Sequence, residues 1–146
     1  MNVNDWITAV RDGVRLNRAL VIQGGRGSGK TVAVELLKAT FPTLSVSTLF
    51  DSSILRRFEN GAHQVTTHDI VVFDHVFCHD QLDVIKPIIT ESEIPVDVRG
   101  VGREVRTIKA NVIVTAEFFP HDPAERRFIV TTPIELIASL IPFLAR

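Results

Sequence analysis

The chain has 146 residues, 45% of them hydrophobic, which suits one domain with a real core. Its formal net charge of -1 offers no bulk attraction to nucleic acid, so any such partner must meet a local patch. The single cysteine, Cys78, excludes an internal disulfide and a four-cysteine zinc site, and neither a basic-then-apolar leader nor a long apolar span is present, so a soluble cytoplasmic protein without membrane contact is expected.

Residues 4–16 read as a short helix, with Val3, Ile7, Val10 and Val14 at helical spacing and Trp6 near the apolar edge. Ala19-Leu20-Val21-Ile22 reads as a buried strand. Gly24-Gly25-Arg26-Gly27-Ser28-Gly29-Lys30-Thr31 follows and fits G-x-x-x-x-G-K-[ST] at every fixed position. A strand before it and helical composition after it are the context this motif requires. Its glycines let backbone N–H groups turn inward around phosphate, and the next helix adds its positive end. Lys30 can reach the β and γ phosphates of ATP, and the Thr31 hydroxyl can hold Mg2+. Arg26 and Ser28 contribute their N–H groups, with side chains free to face solvent.

The helix after the loop should end near Thr40, since Pro42 cannot continue it. Residues 44–49 alternate as a second strand. Asp51 or Ser52 can cap a short helix through Ile54, Leu55 and Phe58, closed by Glu59-Asn60-Gly61. Ile70-Val71-Val72-Phe73 is the uninterrupted apolar run of a central parallel strand. Asp74 stands at its carboxyl end, where open α/β sheets bind ligands, and can hold Mg2+ opposite Thr31. His75 is either a proton acceptor or a polar loop residue. Its spacing to His79 invites a metal, but no third ligand is convincingly placed.

Residues 80–90 suit a helix, with Pro87 at a kink or near an end. Residues 94–98 and 104–109 alternate around Arg99-Gly100-Val101-Gly102-Arg103, the pattern of a β-hairpin. Arg99, Arg103, Arg106 and Lys109 against Glu104 leave this stretch at net +3. It is either a solvated hairpin or one that touches a phosphate backbone. Residues 111–115 form another central strand, with Thr115, Ala116 and Glu117 leaving its carboxyl end. If this strand lies beside residues 70–74, those side chains point toward the γ-phosphate. A helix start at Asp122-Pro123, the Arg126-Arg127 pair, a last strand at 128–131 and a nearly all-apolar helix at 134–144 complete the chain.

The order of these pieces resembles the superfamily 3 helicases of viruses, phages and plasmids, small relatives of the AAA+ ATPases. The resemblance runs from about Leu20 to Ile134. Gly24 to Thr31 match Walker A and Ile70 to His75 match Walker B. Ile85 to Ile89 through Ile94 to Arg99 match the B-prime region, Val112 to Glu117 match motif C, and Arg126-Arg127-Phe128 match the arginine-finger region. It implies a three-layer P-loop fold with a mostly parallel five-stranded sheet ordered 5-1-4-3-2 and an inserted hairpin. The whole chain, 1–146, would be one ATPase domain: an N-terminal helix at 4–16, a nucleotide-binding core at 19–132 and a C-terminal helix at 134–145.

The resemblance further implies ATP hydrolysis with Mg2+ in a ring, usually a hexamer, that moves along or unwinds DNA during replication. Lys30, Thr31 and Asp74 would act within a subunit, and Arg127, or else Arg126, would reach the neighbour's γ-phosphate. Arg99 or Arg103 at the hairpin tip would touch single-stranded DNA. Two positions depart from the family pattern: His75 replaces a second acid, and Glu117 replaces an asparagine. Glu117 can then orient the attacking water while His75 supplies a hydrogen bond; otherwise the protein is a weak or inactive ATPase serving as a switch. Rival readings are a packaging or remodelling motor, a nucleotide-dependent loader acting with a replication partner, an RNA motor and a small-molecule kinase.

Overall fold

The computed structural model describes residues 1–50, 58–76, 78–98, 100–119 and 125–144. In chain order the elements are α1 (Val3–Arg11), β1 (Ala19–Gln23), α2 (Lys30–Thr40), β2 (Val46–Phe50), α3 (Phe58–Thr67), β3 (Ile70–Asp74), α4 (His79–Thr90), β4 (Glu93–Val98), β5 (Gly102–Thr107), β6 (Asn111–Ala116), β7 (Phe128–Thr131) and α5 (Pro133–Leu144).

Five strands form one sheet in the order β2-β3-β6-β1-β7, and every neighbouring pair is parallel. Counting only these five strands, that is the expected order 5-1-4-3-2. The apolar runs explain why the strands at its centre are buried on both faces. Alternate residues of β1, β3 and β6 point to opposite sides. Ala19, Val21, Val71, Phe73, Val112 and Val114 join one apolar cluster with α3, α4 and the inward residues of β4. Leu20, Ile22, Ile70, Val72 and Ile113 join the other with α1, α2 and α5. Helices therefore cover both faces, the three-layer arrangement that parallel strands require. No helix among the described residues is long and apolar enough to cross a membrane.

Several boundaries differ from the sequence expectation. The N-terminal helix stops at Arg11 rather than residue 16, because Asp12 caps it and Gly13 takes φ +79°. Val14 consequently lies outside the helix and is exposed, whereas Trp6 is fully buried and donates its indole N–H to the Arg18 carbonyl at 3.1 Å. Helix α3 runs through Asn60-Gly61, expected to end a helix; Ala62 and Val65 beyond them are buried in the cluster under the hairpin, and that burial outweighs the weak helix propensity of Asn and Gly. The earlier part of that expected short helix lies outside the described residues, as does the start expected at Asp122-Pro123. Pro87 is tolerated within α4 one turn from its end, where its carbonyl accepts the Glu91 N–H at 2.8 Å.

The hairpin is tighter than expected. Val98 pairs with Gly102, and the turn between them uses positive φ at Gly100 and Gly102. Ile94 and Val96 on β4 face the core, while β5 has no buried residue.

Candidate functional site

The site is built at the carboxyl edge of the sheet. β1 ends at Gln23, and the chain turns through residues 24–29 into α2. The turn depends on its glycines. Gly27 and Gly29 hold φ +77° and +97°, and a Cβ on Gly24 would lie 2.3 Å from the Ser28 hydroxyl oxygen. The Gly24 N–H bonds the Ala116 carbonyl at 3.0 Å, which ties the loop to β6. Gly29 caps α2 without a side-chain acceptor, and the first turn of α2 contains no acid. The leading N–H groups of α2 therefore meet neither a capping side chain nor a competing carboxylate, a suitable end for an anion. A cavity of about 290 Å³ opens onto this turn.

Lys30 folds back over the loop, its Nζ donating to the carbonyls of Gly24 at 2.5 Å and Gly25 at 3.0 Å. Thr31 and Asp74 line a second cavity of about 350 Å³ between α2 and the β2–β3 side of the sheet. Thr31 and Asp74 thus share one wall of this cavity. Among the described residues no cluster of three or more His, Cys, Asp or Glu side chains could cage a metal, His75 and His79 included. A hydroxyl and a single carboxylate suit Mg2+, which takes few protein ligands and completes its shell with water and phosphate oxygens.

β6 lies beside β3, and Thr115 is buried next to Asp74. Its hydroxyl donates to Asp74 Oδ1 at 2.5 Å and accepts the His75 N–H at 2.8 Å. Thr115 therefore turns toward the aspartate. His75 is exposed and is the one described non-glycine residue with positive φ, at 63°. Glu117 stands exposed just past the end of β6. Two residues on, the Phe119 N–H bonds Gln23 Oε1 at 2.9 Å, so Gln23 fastens the loop carrying Glu117 to the exit of β1. Neither the Thr115 contact nor the role of Gln23 was legible in the sequence. The available signal was only that each is polar at the end of an apolar strand.

The other expected residues sit elsewhere. Arg127 precedes β7, and its carbonyl accepts the N–H of Ala19, the first residue of β1. It therefore lies at the amino edge of the sheet, opposite the glycine turn. Its guanidinium is held by Glu125 through Nε at 2.7 Å and an Nη nitrogen at 2.6 Å. Arg127 bonding brings the Glu125 carboxyl down from its ordinary 4.5 to about 2. Arg126 is exposed and has no ion pair among the described residues.

The described hairpin cations, Arg103, Arg106 and Lys109, are each ion-paired. Arg103, next to the tip, is exposed and 3.5 Å from Asp97; Arg106 pairs with Glu104 at 3.2 Å. Lys109 is at the root of the hairpin, 3.3 Å from Asp69. Arg99 lies outside the described residues.

No family model matches the sequence, and no curated protein matches it. Solved structures do share the fold. Two apo structures of the C-terminal region of NrS-1, one of them an A form, superpose with TM-scores of 0.68 and 0.70 at 20% and 18% identity, covering 98% of this chain. A further A-form apo structure gives 0.67 at 19% identity over 97% of it. This chain spans only 37% to 38% of those structures. At such identity the likeness is one of fold, and the fold is of the P-loop NTPase type.

Proposed function

We propose that the protein binds a nucleoside triphosphate with Mg2+ at the carboxyl edge of its sheet and hydrolyses it in a ring, as a superfamily 3-like ATPase acting on DNA. The observation that carries the reading is that Thr31, in the first turn of α2, and Asp74, at the end of β3, share one cavity beside the glycine turn. Bound Mg2+ would supply charge neutralisation on the β and γ phosphates. The chain's own residues do the rest. Backbone N–H groups of residues 27 and 29–31 donate to phosphate oxygens, the Ser28 N–H being used within the loop by the Gly25 carbonyl. Lys30 exchanges two carbonyls of its own loop for phosphate, a short movement of a flexible stem. Thr31 and Asp74 hold the metal. Glu117 orients the attacking water.

Ring assembly is supported by the position of the arginine pair. The five residues of β1 separate Arg127 from the loop, roughly 16 Å at 3.3 Å per residue. No arginine at the opposite edge can serve its own phosphates, so an arginine finger here acts only on a neighbour. Arg126 is available at once, whereas Arg127 must first leave Glu125. Contact of the hairpin with DNA requires Arg103 to exchange Asp97 for phosphate; that pair is exposed, so breaking it costs little.

Mixing inactive variants tests this reading. Lys30→Ala should lower ATP turnover at least about 100-fold by removing a charge from the phosphate site, and the double variant R126A/R127A should do the same by removing the finger. A mixture of the two should regain turnover, because some interfaces combine an intact loop with intact arginines. Absence of recovery in a mixture that forms rings would rule out the shared site. Turnover that is independent of protein concentration in a monomer would rule out the ring.

A further inference from the structure

Thr115 has a place that packing alone does not require. It is 1% exposed on the central strand β6, surrounded by apolar residues, yet both roles of its hydroxyl are used. The oxygen accepts the His75 N–H at 2.8 Å, and the proton goes to Asp74 Oδ1 at 2.5 Å. A hydroxyl has one proton, so with the His75 N–H filling a lone pair the direction toward Asp74 is fixed. The backbone reinforces it. The Val76 N–H bonds the Thr115 carbonyl at 2.8 Å, and the positive φ of His75 brings successive N–H groups, His75 and Val76, onto the same residue.

Strand register explains why this residue is the one beside Asp74. Ile70 pairs with Asn111, and the pairing continues through Phe73 and Val114, which brings Thr115 level with Asp74. With a period of two, both side chains fall on the face that carries Val72 and Ile113, the face covered by α2 and hence by Thr31. Among the described residues Asp74 has no hydrogen bond besides the one at Oδ1.

We propose that Thr115 is a positioning residue: its hydroxyl holds Asp74 Oδ1 so that Oδ2 is presented to a divalent cation bound with the nucleotide. This rests on the nucleotide reading above and adds a residue outside its set of ligands. A carboxylate fixed at one oxygen loses rotational freedom before the cation arrives, and second-layer hydrogen bonds of this kind commonly carry 10- to 100-fold in metal affinity.

The test measures nucleotide affinity, not turnover, in Mg2+ and in EDTA, using a fluorescent ATP analogue. The proteins are wild type, T115V, which is nearly isosteric but lacks the hydroxyl, and T115S, which keeps it. Wild type should bind more tightly with Mg2+. T115V should need about 10- to 100-fold more Mg2+ to reach that state while its affinity in EDTA is unchanged. T115S should follow wild type. Circular dichroism checks folding; if T115V does not fold, T115C replaces it, a thiol being a much weaker donor, with the same result expected. A hydroxyl-free variant with the Mg2+ dependence of wild type overturns the proposal and leaves the nucleotide reading standing. Equal losses in T115S and T115V overturn it in favour of packing. No binding by wild type under either condition overturns both.

Discussion

His75 takes the left-handed backbone region at φ +63°, a conformation that costs most residues roughly 1–2 kcal/mol. The fold accepts that cost where β3 ends, and the return is visible: the His75 and Val76 N–H groups both reach Thr115. A residue whose side chain tolerates this region should be accepted at position 75 better than one with a branched β-carbon. His75→Val is expected to be less stable than His75→Asn by about 1–2 kcal/mol in urea unfolding. Equal stabilities would mean that the backbone at this position carries no strain. The glycines of the phosphate loop show the same economy. Gly27 is required by φ +77° and Gly29 by φ +97°, while a Cβ on Gly24 would displace the Ser28 hydroxyl.

At the scale of elements, the segment entering β7 is shaped by the Glu125–Arg127 fork. The Glu125 carboxyl, at about 2 instead of 4.5, stays ionised in the fold to lower pH than in the unfolded chain. Its stabilising contribution is therefore fully present above pH 4.5 and is lost as pH falls from there toward 2. Glu125→Gln should flatten that part of the stability profile and leave the profile above pH 5 parallel to wild type, as read by thermal unfolding across pH. Asp69 shifts in the same direction, chiefly through the Ser45 N–H and then through Lys109, so it adds to the acid loss that remains in the variant. Helix α4 works as a strut between the two ends of the sheet. It begins just past Asp74 and His75 and ends where the hairpin starts.

For the whole molecule, the segment between α1 and β1 is held by residues far away in sequence. Asn111, buried at the start of β6, accepts the Leu16 N–H at 2.7 Å and donates to the Val14 carbonyl at 2.8 Å. Arg15 spans the gap to α4, donating to the carbonyls of Leu16, Ile88 and Ile89, and burial lowers its pKa. The Ile88 and Ile89 carbonyls lie in the last turn of α4, where helix oxygens lack partners and a cation is favoured. Asn111→Ala should lower stability by about 1–3 kcal/mol by leaving two backbone groups unpaired, without altering nucleotide affinity at the opposite edge. A fall in affinity of the same size as the fall in stability would show that the two edges are coupled.

The glycine turn between β1 and α2, the central strands with Asp74, the hairpin and the order of the pieces were legible in the sequence. Each depends on residues within one turn, one strand or one loop of each other: glycine at the required bends, continuous apolar runs, alternation around Gly100 and Gly102. The five-stranded order came from the resemblance, and the parallel pairing bears it out. What the sequence could not give were the contacts between strands and across the sheet. Thr115 meets Asp74 across 41 positions, Phe119 meets Gln23 across 96, and Asn111 meets Val14 across 97. The register of β6 against β3 and β1 decides these pairs, and a shift of one residue would turn every side chain of the strand to the other face. Helix α3 passes through Asn60-Gly61 for the same reason: local propensity argues for a stop there, and burial of Ala62 and Val65 under the hairpin, known only once the chain has folded, outweighs it.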